Sequence, residues 1–284
     1  MYILEWIKQL GTTSSDDATG LAIDSLDNVY ITGYTQGSLD GLNAGGMDAF
    51  LAKYDSTGTI QWTKQLGTWG HDYASGLAID SLDNVYITGS TQGSLGGSNA
   101  GGYDAFLAKY NSTGTIQWTR QFGSSSQDYA SGLATDSNNN VYISGSMYNV
   151  QGQGWDTFLV KYDSTGTIQW TRNLGVGNGS ADYAYAVATD SLDNVYITGY
   201  TQGSLDGLNV GSGDAFLAKY NTNGTIQWTR QLGTNDYDAA SSVAIDSLDN
   251  VYITGSTNGS LGGSTAGSMD AFLAKYNSTG TIQW

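Results

Sequence analysis

Two series of aspartates and an irregular set of aromatic rings are the side chains here that could do chemistry. Asp16, Asp72, Asp128, Asp182 and Asp238 share one position of a repeating unit, and Asp48, Asp104, Asp156, Asp214 and Asp270 share another. Hard cations take six to eight oxygen ligands, so loops rich in Asp, Asn, Ser and carbonyl oxygen could bind calcium, with the first series as ligands. The same carboxylates could instead accept backbone N–H bonds and lock their loops. No D-x-D-x-D-G run is present, so the calcium signal is weak and loop locking carries more weight. Trp69, His71, Tyr103, Tyr148 and Trp155 lie near the second and third units and could build one asymmetric ligand site. They lack counterparts in most units, which weighs against a lectin with five equal sugar sites.

The case for catalysis is thin. His71 is the only histidine, and no Ser-His-Asp order, paired glutamates or histidine metal cluster can be assembled. Two aspartates could serve a glycosidase. Five-fold repetition argues otherwise, since catalysis needs one site with distinct roles. The expectation is a non-enzyme with no assigned catalytic residue.

The elements that must position these groups follow from a recurring tryptophan. Trp6, Trp62, Trp118, Trp170, Trp228 and Trp284 stand at intervals of 56, 56, 52, 58 and 56 residues, mostly within T-I-Q-W. The chain is therefore one supersecondary unit written five times, and a strand-rich unit of this length points to a β-propeller. Within residues 73–120, Ala74–Asp80, Val85–Gly89, Asp104–Tyr110 and Thr115–Arg120 read as strands a to d. Tight polar turns join a to b and c to d, and longer Gly/Ser/Asn loops make the other connections. We expect an all-β, five-bladed β-propeller of four-stranded antiparallel blades, a single domain over residues 1–284. Small residues such as Gly76 and Ala78 suit the crowded inner strand, and the rim tryptophan fills the gap between blades. The a–b and c–d turns share one end of each sheet. The long loops and both aspartate series share the other, where binding is expected. Leu39, Leu95, Leu205 and Leu261 sit in those loops, either folded back on the blade or presented to a partner.

Composition narrows the partners. The net charge is −16, and every acid except Glu5 is aspartate, the turn-forming acid. That field argues against nucleic acid or anionic lipid as partner. Strand c ends in Lys53, Lys109, Lys161, Lys219 and Lys275, a regular placement that fits edge protection and pairing with aspartates. There is no cysteine and no apolar run of about 18 residues, so disulfides and membrane-spanning helices are not expected. Residues 1–6 read as strand and lack the features of a secretory signal.

The phrases A-I-D-S-L-D-N-V-Y-I-T-G (78–89), D-A-F-L-A-K-Y (104–110) and G-T-I-Q-W-T-R-Q-F-G (114–123) resemble the SBBP-type β-propeller repeat. The a–b segment is also similar to NHL-type repeats. The SBBP resemblance runs through all five units and departs most in the third, at Asn138–Asn140 and Val150–Gln153. It implies a propeller with a binding or scaffolding role, in a bacterial family whose members are often exported, which favours an extracellular or cell-surface location. It brings no catalytic residues. A protein or glycan on the loop-rich end is the expected partner.

Closure is a separate question. The N-terminal d strand, beginning near residue 2, is expected to complete the last blade beside residues 270–276, leaving 281–284 redundant. The alternative is that the chain is a segment of a longer array, or closes with another copy through the terminal strands.

Overall fold

The computed structural model describes residues 5–175, 179–205, 209–264 and 267–284, and every regular element in it is a strand. The first sheet holds β1 (Asp16–Ile23), β2 (Val29–Thr35), β3 (Asp48–Tyr54) and β4 (Ile60–Leu66). The second holds β5 (Asp72–Ile79), β6 (Val85–Thr91), β7 (Asp104–Tyr110) and β8 (Ile116–Phe122). The third holds β9 (Asp128–Thr135), β10 (Val141–Asn149), β11 (Gly154–Tyr162) and β12 (Ile168–Leu174). The fourth holds β13 (Asp182–Thr189), β14 (Val195–Thr201), β15 (Asp214–Tyr220) and β16 (Ile226–Leu232). The fifth holds β17 (Asp238–Ile245), β18 (Val251–Thr257) and β19 (Asp270–Tyr276). The chain groups into two compact units, residues 1–130 and 131–284, with the division inside β9.

The expected all-β class and five blades hold, and one detail is corrected. Residues 281–284 are not redundant. Lys275 N–H donates to Trp284 O at 2.9 Å and Gln283 N–H to Lys275 O at 2.7 Å, while Tyr276 bridges Ile282. The T-I-Q-W phrase thus takes the fourth place in the fifth sheet, as it does in the others, because its alternation fits the free edge of β19. The beginning of the expected N-terminal strand, residues 1–4, lies outside the described residues. Residues 5–10 form no strand and set Trp6 beside the Gly58 turn of the first sheet.

A repeated bulge shapes the inner strands. Pairing of β5 with β6 slips between Ala74 and Gly76, leaving Ser75 without an opposite residue. Bulges bend a strand and re-aim one side chain. Here the hydroxyl of Ser75 donates to Ala130 O at 2.6 Å, and Thr19, at the matching bulge of β1, donates to Ala74 O at 2.7 Å. The bulge also dictates Gly89 opposite it, since a Cβ there would overlap Tyr73 O.

Neighbouring sheets pack through a constant pair of faces. Leu51, Ala49 and Tyr30 of the first sheet share a core with Val85, Ile87, Phe106 and Ala108 of the second. Leu217, Ala215 and Tyr196 of the fourth share one with Val251, Ile253 and Ala274 of the fifth. Complete burial of each such aliphatic side chain is worth about 1.5–3 kcal/mol, so these faces hold the sheets together. The turn end adds polar ties. Ser25 donates its N–H and hydroxyl to Asp83 at 3.1 and 2.8 Å, and Ser191 does the same to Asp249 at 3.0 and 2.8 Å.

Candidate functional site

At the loop end of each sheet the inner strand opens on Asp-Tyr or a variant of it, and that tyrosine organises the aromatic groups. In residues 1–130, Tyr73 follows Asp72 at the start of β5. Its ring lies 5.0 Å from Tyr34, 5.8 Å from His71 in a stacked arrangement, and 6.2 Å from Tyr103. Tyr103 in turn stands 5.3 Å from Tyr129. In residues 131–284, Tyr183 follows Asp182 at the start of β13. It lies 5.6 Å from Trp155 and 6.2 Å from Tyr200, and it stacks on Tyr185 at 6.3 Å. Trp155 meets Tyr148 edge-on at 5.5 Å, and Tyr200 meets Tyr237 at 4.9 Å. Tyr200 is buried and the other rings of the two clusters are half-buried, leaving part of each open to a ligand.

Strand register explains the convergence. Tyr200 is opposite Tyr183 in the β13–β14 pair, and Trp155 is opposite Tyr148 in the β10–β11 pair. Directly opposed residues bring their Cβ atoms within about 4.5–5.5 Å, so aromatic pairs at such positions must meet.

The phenols are donors and stacking surfaces, not bases. Burial pushes Tyr103 up to about 12, helped by Tyr73 and Tyr129, and burial with Tyr237 and Tyr183 pushes Tyr185 to about 12. Near neutrality both stay protonated. Nδ1 of His71 accepts Met47 N–H at 3.1 Å, which holds the imidazole at the edge of its cluster.

Of the five aromatic positions singled out in the sequence, His71 and Tyr103 join the first cluster through Tyr73. Tyr148 and Trp155 join the second. Trp69 is 80% exposed and lines a polar hollow of about 510 Å³ with Gln92, Ser94 and Asn99. Sequence reasoning missed Tyr34, Tyr73, Tyr129, Tyr183, Tyr185, Tyr200 and Tyr237. The D-Y pair opening three inner strands was the available signal.

The aspartates do structural work in the described residues. Asp72 accepts Thr68 N–H at 2.6 Å and the hydroxyls of Thr68 and Thr91. Asp16 is served in the same way by Thr12 and Thr35, Asp128 by Ser124, and Asp238 by Thr234. Asp182 accepts the hydroxyl of Thr201. In the second series, Asp104 accepts Ala100 N–H and the Gln121 side-chain amide, both at 2.8 Å. Gln121 also donates to Gly93 O at 2.9 Å and accepts Leu95 N–H at 3.0 Å, pinning the long loop. Leu39, Leu95 and Leu205 fold back on their sheets. Among the described residues, no group of three or more His, Asp or Glu side chains is placed to hold a metal ion. One oxygen each of Asp48, Asp104, Asp214 and Asp238 is buried without a hydrogen-bond partner.

The SBBP family profile, a beta-propeller repeat, matches residues 5–40, 61–96, 117–146, 169–206 and 227–262, more than half of the chain. The Regulatory protein FlaEY of Caulobacter vibrioides is 26% identical over 336 residues, covering 99% of this chain and 34% of that protein. The chain therefore spans about a third of that relative's length. Among solved structures, a PL25 ulvan lyase aligns with a TM-score of 0.56 at 13% identity, over 95% of this chain and 72% of the lyase. The Pan2 WD40 domain of Neurospora crassa aligns with a TM-score of 0.55 at 9% identity, over 94% of this chain and 64% of that one. At such identities the two structures speak for the fold alone.

Proposed function

Because the chain belongs to the SBBP family of beta-propeller repeats, we propose that it is a non-catalytic protein-binding module whose loop end receives the partner. The observation that carries this reading is the two tyrosine-rich clusters, one centred on Tyr73 at the loop end of the second sheet and one on Tyr183 at the loop end of the fourth. Half-buried aromatic rings offer large apolar area, little side-chain entropy to lose and a hydroxyl that can donate, which suits peptide recognition. The regulatory name of the FlaEY relative is in keeping with this role. The use of the aspartates as loop locks supports a reading without catalysis. The same ring faces would stack on a sugar, so a glycan is the second reading.

The test is selection of displayed random peptides against the immobilised chain. Enriched peptides should lose about three- to tenfold in affinity against Tyr73→Ser or Tyr183→Ser, the loss of one aromatic contact. Peptides indifferent to both changes would overturn the proposal. Polysaccharide retention abolished by the same substitutions, with no peptide enriched, would favour the glycan.

A further inference from the structure

A single exposed apolar side chain needs no explanation by itself. Trp69 differs because its turn is locked, and because the same turn is built elsewhere without an indole. Thr68 gives its N–H and its hydroxyl to Asp72 at 2.6 and 2.9 Å, and Gly70 N–H donates back to the Thr68 hydroxyl at 3.2 Å. Gly46 N–H holds Gly70 O at 2.9 Å. Before β17, Thr234 makes the same two bonds to Asp238, at 2.6 and 2.9 Å, around Asn235. Thr13 and Ser125 take the position in two other units. A small polar residue therefore satisfies the fold at this point, and an indole left 80% exposed gains little from packing there.

The other walls of the hollow beside Trp69 are fixed too. Gln121 pins Gly93 and Leu95. Asn99 N–H donates to Ser94 Oγ at 3.2 Å, Asn99 Oδ1 accepts Gly101 N–H at 2.9 Å, and Gly102 N–H donates to Ser126 O at 2.7 Å. Walls held before binding lose little freedom when a ligand enters. Their polar groups are not used up. Gln92 Oε1 accepts His71 N–H at 3.2 Å, which leaves the Gln92 amide N–H groups without an acceptor among the described residues. Ser94 accepts one bond and can still donate its own hydroxyl, and Ser98 is exposed at the rim. Among the described residues, no charged side chain lines the hollow. The counterpart hollow of about 460 Å³ beside Asn235 lacks the indole and includes Asp236.

We infer that the Trp69 hollow is a subsite for a neutral pyranose of a glycan chain, with the indole as its stacking platform and Gln92, Ser94 and Ser98 as partners of its hydroxyls. The indole face is electron-rich and attracts the C–H bonds on one face of a pyranose, while amides and hydroxyls exchange hydrogen bonds with the ring hydroxyls. An anionic ligand would find no cation lining the hollow, within a chain of net charge −16. A cationic peptide side chain would find no carboxylate there. The inference does not rest on the peptide reading of the tyrosine clusters, and different substitutions test the two.

The experiment is titration of the full chain with neutral oligosaccharides of glucose, mannose, galactose, xylose and N-acetylglucosamine. Each is taken to about 10 mM, a level that fills most of a site whose Kd is about 1 mM. Binding is read by NMR from the tryptophan indole N–H signals and by calorimetry. The Trp69 signal is the one absent from Trp69→Asn, a substitution that copies Asn235 and should leave the melting temperature unchanged. At least one of these sugars should move that signal. Its affinity should fall about tenfold or more in Trp69→Asn, the loss of the stacking platform. Gln92→Ala, which keeps the indole, should cost about three- to tenfold, the loss of one hydrogen bond. Tyr73→Ser should change it by less than about twofold. The inference is overturned if no neutral sugar moves the Trp69 signal, or if only uronic-acid oligosaccharides do. It is also overturned if binding survives Trp69→Asn and is lost in Tyr73→Ser, which would place the sugar on the tyrosine cluster instead.

Discussion

Trp170 of the third sheet lies against Gly224, the turn residue between the outer strands of the fourth. A Cβ on Gly224 would stand 2.8 Å from Trp170 Cδ2, and the indole N–H donates to Thr222 O at 3.1 Å. Arg172, two residues on, donates its Nε–H to Gly224 O at 2.6 Å. The same relation recurs between Trp62 and Gly114 and between Trp228 and Gly280. The recurring tryptophan is therefore a bracket that one sheet places on the turn of the next.

Gly224 has φ of +74°, in the left-handed region. Gly224→Ala should lower unfolding free energy by about 1–2 kcal/mol from backbone strain alone, more where the methyl also displaces the indole. Trp170→Ala should remove about 3 kcal/mol or more. Denaturant unfolding of the two variants checks both, and a change of under about 0.5 kcal/mol, the range of inert surface substitutions, would count against the bracket.

Gln121 joins Asp104, Gly93 and Leu95. Gln121→Ala removes one of the two bonds to Asp104 Oδ2, leaving that from Ala100 N–H, and frees the loop, a loss of about 1–3 kcal/mol. Hydrogen exchange should show the Leu95 amide losing protection well beyond that of the β6 and β7 amides.

Two aspartates should respond to pH with opposite sign. Burial pushes Asp72 above the ordinary 3.8, with the charge of Asp48 adding to it, despite bonds from Thr91 and Thr68. For Asp190, burial also pushes upward, but the Asn194 side chain and backbone N–H, with the Lys219 charge, outweigh it and hold the group below 3.8. A raised carboxylate is unfavourable while ionised and is relieved on protonation, so wild type should gain on Asp72→Asn as pH falls through the folded value towards 3.8. A lowered one stabilises above 3.8 and loses that contribution as pH falls through its folded value, so wild type should lose its advantage over Asp190→Asn there. Unfolding free energies of the two pairs from neutral pH to the acid limit of folding read the slopes directly, and equal signs would contradict the assignment.

Calcium should leave the melting temperature unmoved, because hydroxyls and amides already occupy the first aspartate series and no three ligating side chains converge among the described residues. A ligand that binds only the folded state at a hundred times its Kd would add about 2.7 kcal/mol. A rise of several degrees on calcium addition, reversed by chelator, would show that the partnerless oxygens of Asp48, Asp104 and Asp214 take a cation.

The five-fold unit and its strands were legible because strand alternation and turn chemistry are local. Val85–Thr91 needs only β-branched and aromatic residues, and Asp80 with Asn84 needs only each other to close its turn. The aromatic clusters were half legible. Tyr148 and Trp155 stood out as irregular, whereas Tyr73 and Tyr183 were hidden inside ordinary strand text, since no local rule says which rings from different strands will meet.

The amino-acid sequence by itself determined the all-β class, the number of sheets, the turn aspartates and the small residues of the inner strands. Each follows from the conformational preference of a short segment or from the repeat period. Only the tertiary structure decided that residues 281–284 pair with β19 and that Trp170 grips the Gly224 turn. Those outcomes depend on which surface each sheet meets, and near-identical sequences in different repeats meet different neighbours.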